Sequence, residues 1–143
     1  MSTNRPLNAY RETNIKTASQ GKLIVMLYDE AIKMLDMACE LLALEDRKLD
    51  EISNSIIRAQ EMITELMVSL NFEQGGEIAK TLFSLYMYFN RQLMEANMKK
   101  EIEPLKQVSG MMKELRQAWA EIVQKEKGGP TDAPSTGGVN IAG

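Results

Sequence analysis

Apolar positions recur at helical spacing in four blocks of this chain, separated by charged or Gly/Pro-containing breaks. In the first block Ile24, Tyr28, Ala31, Leu35, Ala38 and Leu42 follow one another at intervals of 4, 3, 4, 3 and 4, and Leu23, Leu27, Met34 and Leu41 widen the same arc. The second block repeats those intervals through Ile52, Ile56, Ala59, Ile63, Leu66 and Leu70, with Met67 beside them. The fourth alternates 3 and 4 through Leu105, Val108, Met112, Leu115, Trp119 and Ile122. Each set falls on one face of an α-helix. The punctuation agrees. Ser19 offers an N-cap, the charged run from Glu45 to Glu51 makes the first connection, and Gly75-Gly76 provides a hinge or stop. Acids at Glu101 and Glu103 with Pro104 open the fourth helix, and Gly128-Gly129-Pro130 ends it. Four amphipathic segments joined by short connections predict an all-α fold, an antiparallel up-down-up-down four-helix bundle over residues 19–127.

The third block, from Asn71 to about Asn97, carries more apolar surface than one core needs. Ile78, Ala79, Leu82, Leu85, Tyr86, Phe89 and Leu93 share a stripe fit to face a core. Phe83, Met87 and Met94 form a second stripe roughly 100° further round, with Asn90 among them. The first block has a surplus of its own in Val25, Ile32 and Cys39, seven apart, and the second a weaker outer row of Ile57, Thr64 and Val68. A helix in water with two apolar faces has two partners, one its own core and the other a different molecule. Val25, Ile32, Phe83, Met87 and Met94 are therefore the candidate binding residues. The alternative is a homodimeric structural or regulatory bundle, because exposed apolar faces also pair with themselves.

The two ends read differently. Residues 1–18 are polar but carry isolated apolar side chains at Leu7, Tyr10 and Ile15, the pattern either of a latch that folds back over an apolar groove or of a frayed terminus whose apolar residues are incidental. Residues 128–143 are mostly Gly, Pro, Ser and Thr with little to bury, which predicts a disordered tail.

Composition bounds the function. A chain of 143 residues, 44% hydrophobic, supplies one core and needs no second domain. Its 11 methionines suit adaptable binding surfaces. The net charge of -3, with both signs interspersed, gives no footprint for nucleic acid or an anionic membrane. Cys39 is the only cysteine, so no disulfide forms within the chain and a reducing compartment is expected. The opening MSTNRPLNAYRETN has no signal-peptide run and no apolar stretch is long enough to span a bilayer, so the expected location is the cytoplasm.

Candidate chemistry is absent. Helical bundles often hold di-iron or haem, but those sites draw on Glu-x-x-His pairs or an axial His, and this chain has no histidine. Cys39 has no His to activate it and reads as a small packed apolar residue. Gly75-Gly76 lacks the strand and the glycine spacing of a phosphate site. The chain is expected to be no enzyme and to take no cofactor or metal.

Several short strings then add up to more than periodicity. They are Asn8-Ala9-Tyr10, Thr17-Ala18-Ser19, Met26-Leu27-Tyr28-Asp29 with Ala31, Ala59-Gln60, Glu65-Leu66 and Ser69-Leu70-Asn71. Gly75-Gly76-Glu77-Ile78-Ala79, Leu85-Tyr86 with Tyr88, Arg91, Leu93 and Glu95-Ala96-Asn97, and Leu115-Arg116 with Ala118-Trp119 complete the series. In this order and spacing, over about residues 8 to 122, the chain resembles the FliS family of flagellar secretion chaperones. The resemblance implies a helical-bundle chaperone that binds the disordered C-terminal segment of flagellin in the cytoplasm, prevents premature polymerisation and delivers it to an export-gate component. It also implies that the N-terminal segment, Leu7 and Tyr10 included, contributes to docking at the export apparatus. The free protein is expected to be a monomer or weak dimer. Two departures from the family pattern are Gln20, where Pro is frequent, and Glu30, where Gly is common.

Overall fold

The computed structural model describes residues 20–127. Ser19, the candidate latch residues Leu7, Tyr10 and Ile15, and the tail 128–143 lie outside the described residues. Four helices follow in order: α1 (Gln20–Ala43), α2 (Leu49–Ser69), α3 (Phe72–Lys99) and α4 (Glu103–Lys127). α1 packs on α2 and α4, and α3 closes the ring between α2 and α4 with less intimate contact.

The directions alternate, as the short connections require. Arg58 of α2 meets Glu30 of α1, Ser53 and Gln60 of α2 meet Asn97 and Asn90 of α3, and Asp29 and Asp36 of α1 meet Arg116 and Ser109 of α4. In the α2/α3 and α1/α4 pairs residue numbers rise on one side as they fall on the other. This is the up-down-up-down bundle expected from the spacing.

Each predicted seam supplies the core. Ile24, Tyr28, Ala31, Leu35 and Ala38 of α1, and Ile52, Ile56, Ala59, Ile63 and Leu66 of α2, are buried, as are Leu105, Val108, Met112, Trp119 and Ile122 of α4. Burying one such large side chain contributes roughly 1.5–3 kcal/mol, so this shared layer dominates the stability of the fold. A polar link inside it runs diagonally between α1 and α3, where the hydroxyls of Tyr28 and Tyr86 sit 2.6 Å apart. Burial pushes the Tyr86 pKa up to about 12 and raises that of Tyr28 further, with the neighbouring Tyr86 adding to the rise. Both phenols therefore stay neutral across the physiological range.

The connections are tight. Leu70 is extended and Asn71 at once caps α3, its Oδ1 accepting from the backbone N–H of Glu73 and Gln74 at 3.1 Å. The turn so capped, Phe72 to Gly75, is helical, but Gly76 has φ 52° and ψ -125° and kinks α3 at the place expected to hinge or stop it. Only glycine adopts that geometry without strain. At the other end Lys100 takes a left-handed conformation with φ 54°. Its ammonium donates to Asn97 O, Asn97 Oδ1 and Ser53 Oγ at 2.6–2.9 Å, and its carbonyl accepts from Arg47. Those bonds offset the cost of left-handed backbone on a residue with a side chain.

Two details differ from the expectation. The charged run beginning at Glu45 does not stay a connection as far as Glu51, because α2 begins at Leu49 and takes Asp50 and Glu51 into its first turn, where acids favour the helix dipole. Ile78, assigned to the core stripe of α3, is 43% exposed, whereas Leu85 of the same stripe is half-buried and packs against the core as expected. Both lie at the margin of the buried arc on the flank away from α2, and Ile78 directly follows the kink.

Candidate functional site

α3 carries six of the twelve large apolar side chains exposed among the described residues: Phe72, Ile78, Met87, Tyr88, Met94 and Met98. No other helix approaches that share, and α3 is also the helix least embedded in its neighbours. The stripe predicted as surplus is thus on the outside. Met87 and Met94 are exposed, while Phe83 is half-buried, its ring edge-on to Phe72 at a centroid distance of 5.9 Å. That geometry is the favoured one for two aromatic rings.

The hydrogen bonds between α2 and α3 locate this stripe. Gln60 Nε2 donates to the Asn90 carbonyl at 3.2 Å, Asn90 Nδ2 donates to Thr64 Oγ1 at 3.4 Å, and Ser53 Oγ donates to Asn97 Oδ1 at 3.0 Å. These uncharged groups form the floor of the α2/α3 seam. Phe83, Met87 and Met94 stand on the α3 side of that floor, and the exposed Ile57 and Val68 rise on the α2 side. Together they make a groove with a polar floor and apolar walls running the length of two antiparallel helices. Such a groove fits the apolar face of an amphipathic helix. Met98, one turn past Met94, lengthens it; the 83, 87, 94 series contained that signal, since the next groove position falls four residues on. Phe72 was not legible this way, because the Gly76 kink resets the helical phase before it.

Val25 and Ile32 occupy a different seam. With Cys39 they line the α1 side facing α4, half-buried and packed against the core. The rim beside them is charged. Arg116 Nε is 2.7 Å from Asp29 Oδ1, Asp36 accepts from Ser109 Oγ at 2.8 Å, and Lys113 lies 3.2 Å from Asp36. Hydrogen bonding to Asp29, then its charge, raises the Arg116 pKa. Burial pushes the Cys39 thiol up, and the nearby Asp36 carboxylate adds to the rise, so it is a poor nucleophile. In the ring of helices the α1/α4 and α2/α3 seams lie on opposite sides. The structure therefore brings Phe83, Met87 and Met94 together and keeps Val25 and Ile32 apart from them.

Among the described residues no group of three or more acidic, Cys or His side chains could hold a metal, and no helix is long and apolar enough to cross a membrane. Glu65 of α2 is a buried carboxylate, at 8% exposure.

Sequence comparison with known proteins identifies the family. The family described as flagellar protein FliS matches residues 3–126. The flagellar secretion chaperone FliS of Bacillus subtilis is 30% identical over 139 residues, covering 97% of this chain and 99% of that protein. The chaperone of the same name from Salmonella typhimurium is 33% identical over 115 residues, 80% of this chain and 84% of the relative, and that of Campylobacter jejuni is 29% identical over 88% and 97%. This chain belongs to the FliS family, a family of flagellar secretion chaperones and not of enzymes.

Proposed function

We propose that this protein binds the C-terminal segment of flagellin in the bacterial cytoplasm, holds it unpolymerised and delivers it to the flagellar type III export apparatus. The observation that carries the reading is the groove between α2 and α3, whose apolar walls are exposed in a chain of a secretion-chaperone family. A flagellin end that is disordered alone and amphipathic when helical gains a partner there for its apolar face. Coupled folding of this kind buries roughly 1,000–3,000 Å² and loses a few kcal/mol to ordering, which suits a grip that must be released at export. Val25 and Ile32, on the opposite side of the bundle, become client contacts if a long segment wraps round from the first groove. Leu7, Tyr10 and Ile15 serve as a latch over the empty groove and as a docking element for the export gate.

Calorimetric titration of the full chain with a synthetic flagellin C-terminal peptide tests this reading. Saturable binding at 1:1 stoichiometry is expected, with a negative heat-capacity change from apolar burial. Absence of binding, together with a tight dimer on size-exclusion chromatography, would replace it with the homodimeric alternative.

A further inference from the structure

On its groove side α3 presents Phe83, Met87, Met94 and Met98 together with two polar residues, Asn97, whose side-chain oxygen accepts from Ser53 and Lys100, and Asn90. It sits at the middle of the groove. Its amide donates to Thr64 Oγ1 at a long 3.4 Å and its backbone carbonyl accepts from Gln60 Nε2, yet no described group donates to its side-chain oxygen, which is shielded from water. An acceptor shielded in this way interacts strongly with a matched donor and disfavours an apolar neighbour.

The rest of the row creates a problem that such an acceptor solves. Methionines adapt to many shapes, so a groove of methionine and phenylalanine tolerates an apolar helix displaced by one or two turns almost as well as one in place. One polar position whose acceptor is left open, between apolar walls and polar neighbours already bonded to one another, removes that degeneracy, as a single buried Asn does in a coiled coil. We propose that Asn90 sets the register of the segment bound along the α2/α3 groove by accepting a hydrogen bond from a hydroxyl or amide side chain of that segment. Met87 and Met94, the neighbours on either side, are exposed and unbranched, so an arriving chain displaces them readily. The donor belongs to a Ser, Thr, Asn or Gln lying inside the apolar face of the client helix. Asn90 acts here as a specificity-determining residue, and the assignment rests on the flagellin-binding reading.

The test is a double-mutant comparison. In a synthetic flagellin C-terminal peptide, each Ser, Thr, Asn and Gln is replaced singly by Ala. Every peptide is then titrated calorimetrically into the full chain and into its Asn90→Leu variant, with Asn90→Ala as a second variant should Leu alter the melting curve. One replacement is expected to weaken binding to the unaltered chain at least ~10-fold, about 1.4 kcal/mol, and to leave binding to the Asn90 variants within ~2-fold. Replacements that all weaken both chains equally would overturn the assignment while leaving the groove as the binding site. If the unsubstituted peptide fails to bind the unaltered chain, the flagellin-binding reading fails and this one with it.

Discussion

α1 and α3 both carry more apolar surface than a helix with one buried face needs, and the bundle disposes of the two surpluses differently. On α1 the extra residues Val25, Ile32 and Cys39 turn into the seam with α4 and pack against the core, under a rim of charged pairs from Asp29 and Asp36. On α3 the extra residues Met87, Met94 and Met98 stay exposed, and the helix meets α2 through Asn90, Asn97 and other uncharged groups. α1 holds the bundle together, whereas α3 presents a surface. A helical wheel does not separate these roles, because both surpluses fall on spacing that could face in or out.

Four tests would break or sharpen that contrast. The largest effect is expected from Leu82→Asp, in the buried stripe of α3. A carboxylate placed there costs more than about 3 kcal/mol out of a total of roughly 5–15, and the cooperative thermal transition seen by circular dichroism should be lost. A variant that melts normally would mean that α3 is dispensable to the core.

Next comes alkaline pH, which acts on the Tyr28–Tyr86 link between the two helices. Tyrosine ionises near 10 when unfolded, whereas burial holds Tyr86 neutral to about 12, so its contribution is complete below pH 10 and is lost as pH climbs towards 12. The melting midpoint should fall across that window, by on the order of 2 kcal/mol in stability. In a Tyr86→Phe variant the fall should be shallower.

A matched pair of substitutions separates the two surpluses directly. Ile32→Glu places a charge against the core and should lower stability by about 1–2 kcal/mol, several degrees in Tm. Met94→Glu should change stability by less than about 0.5 kcal/mol yet weaken binding of a flagellin C-terminal peptide at least ~10-fold. Equal loss of stability in both would show that the α3 stripe is core. The smallest effect belongs to Asp29→Asn. Both partners of the Asp29–Arg116 pair are partly exposed, so its loss should cost under about 1 kcal/mol and should shrink further in high salt.

How far these features can be read in the sequence depends on how local their causes are. The helices and their seams follow from intervals of 3 and 4, and Pro104 and the Gly75-Gly76 pair mark breaks through their own backbone chemistry. The surplus stripe of Phe83, Met87 and Met94 was legible as surplus because it exceeds what one face can bury. Its separation from Val25 and Ile32 was not, since that depends on which helices become neighbours. Ile78 was misassigned because position on the wheel says nothing about how closely the facing helix approaches. Asn90 stood out as polar in an apolar row, but its bare oxygen depends on where Thr64 and Gln60 fall across the seam.

The buried tyrosine pair also has an optical consequence. Trp119, the only tryptophan in the chain, is 4% exposed and its indole interacts with the Tyr28 hydroxyl. Its fluorescence therefore reports on the centre of the bundle, away from the groove between α2 and α3. Emission at short wavelength marks a closed core, and a shift to the red marks water reaching the indole. A ligand that fills the groove and leaves the core intact should leave that colour unchanged, so one cuvette can tell occupancy from unfolding without any added label.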